Sequence, residues 1–442
     1  MKKSGLFFSV IFIVILGWSI SLSFAQSQTP GAVYMDGPVT GKMIDAGFIY
    51  GDSNYNAIIQ ASDGNVYYVI CSHNKKSGAH MFRYNPRTGE VKIIGDLTAV
   101  VGEDRTKVIC QGKVHSDIYE VDGKLYFGTH AGSWDMTYPG GHFVCYNLKT
   151  GKFQDFGIGV PNQGLVAMTM DTKRMRMYAV TWPGYTFCYY DVNTGKKKSW
   201  ATSFAPVIMQ GPRSIGVDPR TGNAYWHNMD DTIASYNFEK DDIETLSKPK
   251  FDAPMFHIPL DKSAGCVWRS IRWSEPMQRF YGIMYYSDWL FSYEPKTADI
   301  EIIDRVASAP NRKTGKTSYS SLAFELSKDG KTLYYIAPGI SPKDSTEELH
   351  LVTYDIPLRH YVDHGAIVLD DGRRPRYCQG MEVGTDGSLY FVAWIPFTDL
   401  KSEKGKKIIE LLYEGKPVLE VEKSGAIQEI NLIKIKDPLA GK

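Results

Sequence analysis

The residues best placed to do chemistry lie in one short run, Lys113-Val114-His115-Ser116-Asp117-Ile118-Tyr119-Glu120-Val121-Asp122-Gly123-Lys124-Leu125-Tyr126-Phe127-Gly128-Thr129-His130. Two histidines bracket an Asp-Gly dipeptide flanked by alternating apolar residues. That pattern is a strong hairpin signal, because a type I′ turn needs positive φ at both central positions. In the register it predicts, His115 lies seven positions before Asp122 and His130 seven after Gly123, so the imidazoles are cross-strand partners with Cβ atoms about 4.5–5.5 Å apart. Two titratable rings that close suit proton transfer near neutral pH, or a metal.

The rest of the chain has to position that pair. Met1-Lys2-Lys3 followed by an apolar run from Leu6 to Phe24, with Ser23-Phe24-Ala25 as a small-x-small site, has the form of a secretory signal. Residues 1–25 are therefore expected to be removed and the mature protein to be secreted or periplasmic. No second apolar run is long enough to span a membrane, so no membrane partner is expected after cleavage. Lys plus Arg number 50 and Asp plus Glu 49; this balance does not advertise nucleic acid, and an acidic ligand would need positive charge gathered locally. Cys71, Cys110, Cys145, Cys188, Cys266 and Cys378 show no CxxC spacing and read as buried thiols or scattered disulfides. His257, Cys266, His364 and Cys378 are candidates for a structural zinc site.

An apolar residue or alanine followed by tyrosine recurs at Tyr67, Tyr126, Tyr178, Tyr225, Tyr281, Tyr334 and Tyr390, about 54 residues apart. Each copy follows a turn, such as Asp63-Gly64, Asp329-Gly330 or Asp386-Gly387, and most precede a third strand and a short fourth one. Seven repeats of four strands, with almost no helical periodicity, predict an all-β fold: a single seven-bladed β-propeller of four-stranded antiparallel blades over residues 26–442. Two segments compete to complete the last blade, Met43–Tyr50 near the amino end and Ala426–Ile433 near the carboxyl end. The Lys- and Glu-rich insertion Thr398–Lys416 reads as a solvated loop or helix.

In a propeller the starts of the first strands and the ends of the second strands meet at one mouth of the axial channel. Four positions beyond the repeated tyrosines stand Cys71, His130, Trp182, Met229, Tyr285, Pro338 and Trp394; near the first-strand starts stand Asn56, His115, Gln163, Arg213, Arg269, Tyr319 and Gln379. Neighbouring loops add His73, His80, His142, Tyr185, His227 and Tyr286. Histidines, arginines, aromatics and amides in one ring suit an anionic sugar.

Gly112-Lys113-Val114-His115 through Leu125-Tyr126-Phe127-Gly128-Thr129-His130, followed by Gly141-His142-Phe143, resembles the two-histidine blade of secreted seven-bladed propeller polysaccharide lyases of the ulvan lyase and rhamnose–glucuronate lyase type. The likeness continues in Met168-Thr169-Met170-Asp171, Tyr178–Gly184 and Arg213–Asp218, and is motif-specific over the second to fourth blades. In that family two histidines, a tyrosine and an arginine act at the funnel mouth. The resemblance implies His115 and His130 for the histidines and Arg213 for the arginine. Where the tyrosine is expected this chain has Trp182, so that either Tyr185, Tyr285 or Tyr286 takes that role or the tyrosine-dependent step is absent.

The implied reaction is β-elimination at C4 of a uronic acid, which needs a neutralised carboxylate, a base for the C5 proton and an acid for the leaving oxygen. Arg213, helped by Arg269 or Gln379, would be the neutraliser, one histidine the base, and the other histidine or Tyr185 the acid. Trp182, Trp394, Tyr285 and His73 would complete the contacts to an anionic polysaccharide or oligosaccharide bound by a monomer. The chemistry requires no cofactor; a structural zinc or calcium ion is left open. Two alternatives stand beside it: a noncatalytic glycan- or protein-binding propeller, and a metal-dependent propeller hydrolase or lactonase using His115, His130 and His73.

Overall fold

The computed structural model describes residues 32–441 apart from 75, 134–136, 203–212, 229–231, 247–267, 286, 317, 319 and 413–426. The expected signal segment, and with it Met229, His257, Cys266, Tyr286 and Tyr319, lies outside the described residues.

Alternating apolar patterns fold into strands because turn chemistry reverses the chain between them. At Asp122 and Gly123 φ is 50° and 68°, the left-handed pair that the type I′ reading requires. In the Asp63-Gly64, Asp329-Gly330 and Asp386-Gly387 turns the glycine alone is left-handed. Gly64 and Gly330 donate their N–H groups to the carbonyls of Ala61 and Ser327 three residues back.

Five separate four-stranded antiparallel sheets follow one another, over Ile58–Asp96, Tyr119–Ile158, Gly164–Ala201, Gly216–Thr245 and Trp268–Arg305. Phe324–Leu369 forms the sixth blade. The seventh combines Tyr377–Val383, Ser388–Pro396, Gln428–Lys436 and, as its outermost strand, Val39–Ile44. The first strands of successive blades touch around the axis, with the short pair Gln111–Lys113 and His130–Ala131 holding blade 2's place in that ring. The fold is a seven-bladed β-propeller.

Both ends of the chain close the blade, but the amino-terminal strand is Val39–Ile44, which shares only Met43 and Ile44 with the expected Met43–Tyr50. The carboxyl run is the third strand of blade 7 and the amino run the fourth, paired Gly41 to Ile435. The same amino-terminal strand runs parallel to His360–Leu369, so blades 6 and 7 share one continuous sheet. Within the 398–416 insertion, Glu403–Leu412 is a helix that buries Ile408 and Ile409 against Ile427, while Lys404 bonds Asp45 and Glu429.

The repeated tyrosines are buried between blades, each contributing a large aromatic surface to the core while keeping one polar end to satisfy. Tyr67 and Tyr390 donate to the turn aspartates Asp63 and Asp386, Tyr178 to the Gly222 carbonyl of the next blade, and Tyr334 to Asp437. The repeat in the sequence is therefore a seam between blades. The five described cysteines are buried and form no disulfide with one another, which decides for thiols over disulfides among them. His364 and Cys378 do not form a site together. His364 sits on the outer strand of blade 6, bonded to Thr353, and Cys378 on the inner strand of blade 7 against Ser321, four strand spacings away along the shared sheet.

Candidate functional site

The ladder of the central hairpin runs from Val121↔Lys124 to Tyr119↔Tyr126 and then opens. Past that point the Gly128 N–H is taken by the Ser116 hydroxyl, and His130 pairs with Lys113 instead of His115. The expected cross-strand register of the two histidines is thus replaced by an excursion over residues 114–118. The rings still meet: their centroids are 4.8 Å apart at an interplanar angle of 84°.

Neighbouring blades hold that contact. Tyr55 of blade 1 stacks on His115 with centroids 4.1 Å apart and planes 10° from parallel. Gly164 opens blade 3 directly under His130, and a Cβ there would lie 1.8 Å from Nδ1. Only glycine leaves room for the imidazole. Trp182 meets His130 edge-on at 6.3 Å. The loop after Trp182 is clasped by Gln163, whose amide oxygen accepts from Thr181 and the Gly184 N–H.

Both histidines are buried, His115 6% and His130 4% exposed. Burial pushes both well below the ordinary histidine range, and the positive charges of Arg213 and Lys113 press the same way. Each ring is therefore a neutral imidazole at pH 7. Neither ring nitrogen of His115 has a hydrogen-bond partner among the described residues. Arg213 is half-buried and its charge reaches His115, His130, Tyr55 and Tyr185. Tyr185 is buried at a left-handed φ of 49°. Burial raises its hydroxyl, while Arg213 and a bond from Trp182 oppose that rise, so it stays protonated and suits an acid better than a base.

The other sequence candidates go elsewhere. Arg269 is 1% exposed; its guanidinium donates to Gln379 Oε1 at 2.7 Å and to the Ser320 carbonyl at 3.0 Å, and lies 4.9 Å over the Tyr285 ring. A buried guanidinium has to spend its donors internally, so Arg269, Gln379 and Tyr285 form a structural knot between blades rather than a second neutraliser. Trp394 likewise gives its indole N–H to the Asp52 carbonyl and its ring to Tyr377, sealing blade 7 to blade 1. His73 is half-exposed at the rim with Nδ1 2.8 Å from Asp52 Oδ1. Among the described residues no group of three or more His, Cys, Asp or Glu is placed to hold a metal ion.

Three residues in this mouth were not singled out from sequence: Tyr55, Asp52 and Lys113. Counting first-strand starts selected Asn56, which turns left-handed at φ 57°, one position past the side chain that faces the site. A lysine inside an otherwise apolar strand end was the signal for Lys113. Further along the channel Arg272 bridges Asp117 at 2.8 Å and Glu325 at 2.9 Å, tying blades 2, 5 and 6 across the axis.

No protein-family model matches the chain, and no curated protein matches it. Among solved structures, a chain of the mitotic checkpoint complex is similar with a TM-score of 0.48 and 11% identity, over 84% of this chain and 94% of that one. A protein described as a 6-phosphogluconolactonase from Bacteroides uniformis is similar with a TM-score of 0.45 and 13% identity, over 71% of this chain and 85% of that one. The sheet topology establishes the propeller independently of either.

Proposed function

We propose that this protein is a polysaccharide lyase, acting outside the cell or in the periplasm, that cleaves a uronic-acid-containing glycan by β-elimination at the mouth of the propeller. The observation that carries the reading is the contact between two buried, neutral imidazoles in the positive field of Arg213 and Lys113. A neutral imidazole can take a proton, and nearby cations stabilise the charge that develops on the carboxylate as the C5 proton leaves.

His115, with both ring nitrogens unpartnered among the described residues, is the base in this reading. The C5–H electron pair forms the C4–C5 double bond, the C4–O bond breaks, and the departing oxygen takes a proton from the Tyr185 hydroxyl. No electron acceptor is required. The near-complete burial of Tyr185 favours a second reading, in which the same mouth binds glycan without cleaving it.

Incubation with a panel of uronate-containing glycans separates the two. The lyase gives an unsaturated uronate absorbing in the ultraviolet, and His115→Ala lowers that rate by about 10²–10⁴-fold while sparing most of the affinity. If every glycan binds or fails to bind without unsaturated product, the lyase reading is wrong.

A further inference from the structure

The mouth holds a buried cation that makes no ion pair among the described residues, Lys113. Lys113 ends the short strand Gln111–Lys113 and is the ladder partner of His130, so the two side chains leave the same face of the sheet. Its position is fixed by close backbone packing. A Cβ on the preceding Gly112 would sit 2.3 Å from Gly132 Cα and 2.4 Å from the Ser72 carbonyl, and the Gly112 carbonyl accepts from the Ser72 N–H at 2.8 Å. Lys113 is only 9% exposed, yet its ammonium makes no ion pair among the described residues.

The carboxylate whose charge reaches Lys113, Asp52, is already engaged. It accepts from the His73 N–H at 2.8 Å, from His73 Nδ1 at 2.8 Å and from the Ser53 hydroxyl at 2.8 Å. Cys71, also beside Lys113, is buried with its thiol pushed up to about 12, so it supplies no negative charge at neutral pH. The charge of Asp52 attracts Lys113 from a distance without pairing with it, and that of Arg213 repels it. A buried ammonium without a counter-ion is costly, and burial pulls Lys113 down to about 8. An anionic ligand entering between Lys113 and Arg213 would relieve both charges at once.

We propose that Lys113 receives the carboxylate of the bound sugar beside the two imidazoles, with Arg213 on the other side of the same group, so that the mouth selects a sugar acid over a neutral sugar. The inference deepens the reading of this mouth as a uronate site and rests on it for the ligand's identity. Sulfate esters share the anionic chemistry, and the test includes them.

Full-length protein is titrated with glucuronate, inorganic sulfate and glucose by calorimetry, as wild type, Lys113→Met and Lys113→Arg. Glucuronate binds the wild type and glucose does not; K113M weakens glucuronate by about tenfold or more and K113R by less than about threefold, as expected for loss and replacement of a charge-assisted bond. Reductive methylation of the wild type, mapped by mass spectrometry, provides a second measurement independent of any variant: glucuronate protects Lys113 and glucose leaves it reactive.

Binding of glucuronate to K113M within about twofold of wild type, or labelling of Lys113 undiminished by glucuronate, overturns the proposal. Sulfate binding and protecting in place of glucuronate overturns the carboxylate assignment. A Lys113-dependent glucuronate site in a protein that never yields unsaturated product would keep this inference and sink the lyase reading. Elimination that proceeds unchanged in K113M would do the reverse.

Discussion

His350 offers a perturbation whose size can be worked from the structure. It lies on the third strand of blade 6 with Nδ1 2.9 Å from Asp363 on the fourth strand and Nε2 3.1 Å from Glu348. Burial alone would lower it, but the two carboxylates win and raise it from 6.5 to about 9. A rise of that size corresponds to about 3 kcal/mol of native-state stabilisation of the protonated ring. Because the folded value is the higher one, this contribution is complete below pH 6.5 and is lost as pH rises through about 9. His350→Gln keeps a donor of similar shape and removes the charge. It leaves Asp363 with backbone N–H groups of Ala309 and Gly365, and Glu348 with Arg374 at 3.5 Å.

Urea unfolding followed by tryptophan fluorescence should show H350Q less stable than wild type by about 3 kcal/mol near pH 6, narrowing to under about 1 kcal/mol near pH 10. His142 carries the same arrangement in blade 2, between Asp155 and Glu103, and is also raised to about 9; it titrates in both proteins and drops out of the difference. A gap that is equal at the two pH values, or that widens with pH, would refute the reasoning.

Gly164→Ala should push the His130 ring out of register, since contact distance is about 3.4 Å and the new Cβ starts 1.8 Å away; a displacement near 1 Å costs on the order of 10²-fold in turnover, and unchanged elimination kinetics with an unchanged urea midpoint would count against the assigned geometry. Arg272→Met strands Asp117 and Glu325 in the channel beside Glu382, which burial and the charge of Glu325 already push up to about 8. The variant should lose about 3 kcal/mol at pH 7 and recover part of it at pH 5 as the carboxylates take up protons, measured again by urea unfolding. Burial pushes Cys71, Cys188 and Cys378 up to about 12 and raises Cys110 and Cys145; a thiol reagent at pH 8 should leave these five unlabelled until denaturant is added, and rapid native labelling of any of them would contradict their placement.

What the sequence alone determined was local. An Asp-Gly pair demands left-handed φ at two adjacent residues, and Asp122 and Gly123 adopt it; a tyrosine after an apolar residue, repeated after turn after turn, forces a blade-like unit that cannot bury its faces alone. From these came the blade count, the hairpin and the proximity of His115 to His130. Tertiary structure decided what the blades do to one another. The ladder beyond Tyr119 gave way because the strand end at His130 is captured by Lys113 and seated over Gly164, so the partner changed while the ring contact survived. Arg269 and Gln379 share a mouth position in the repeat, yet they bond each other across 110 residues of chain, a contact no spacing rule encodes. The same holds for Tyr55 on His115 and for the amino-terminal strand that closes blade 7. Periodicity and turn residues act through neighbours in sequence; burial, which lowered both imidazoles and left Lys113 with no ion pair among the described residues, exists only once seven blades have closed around an axis.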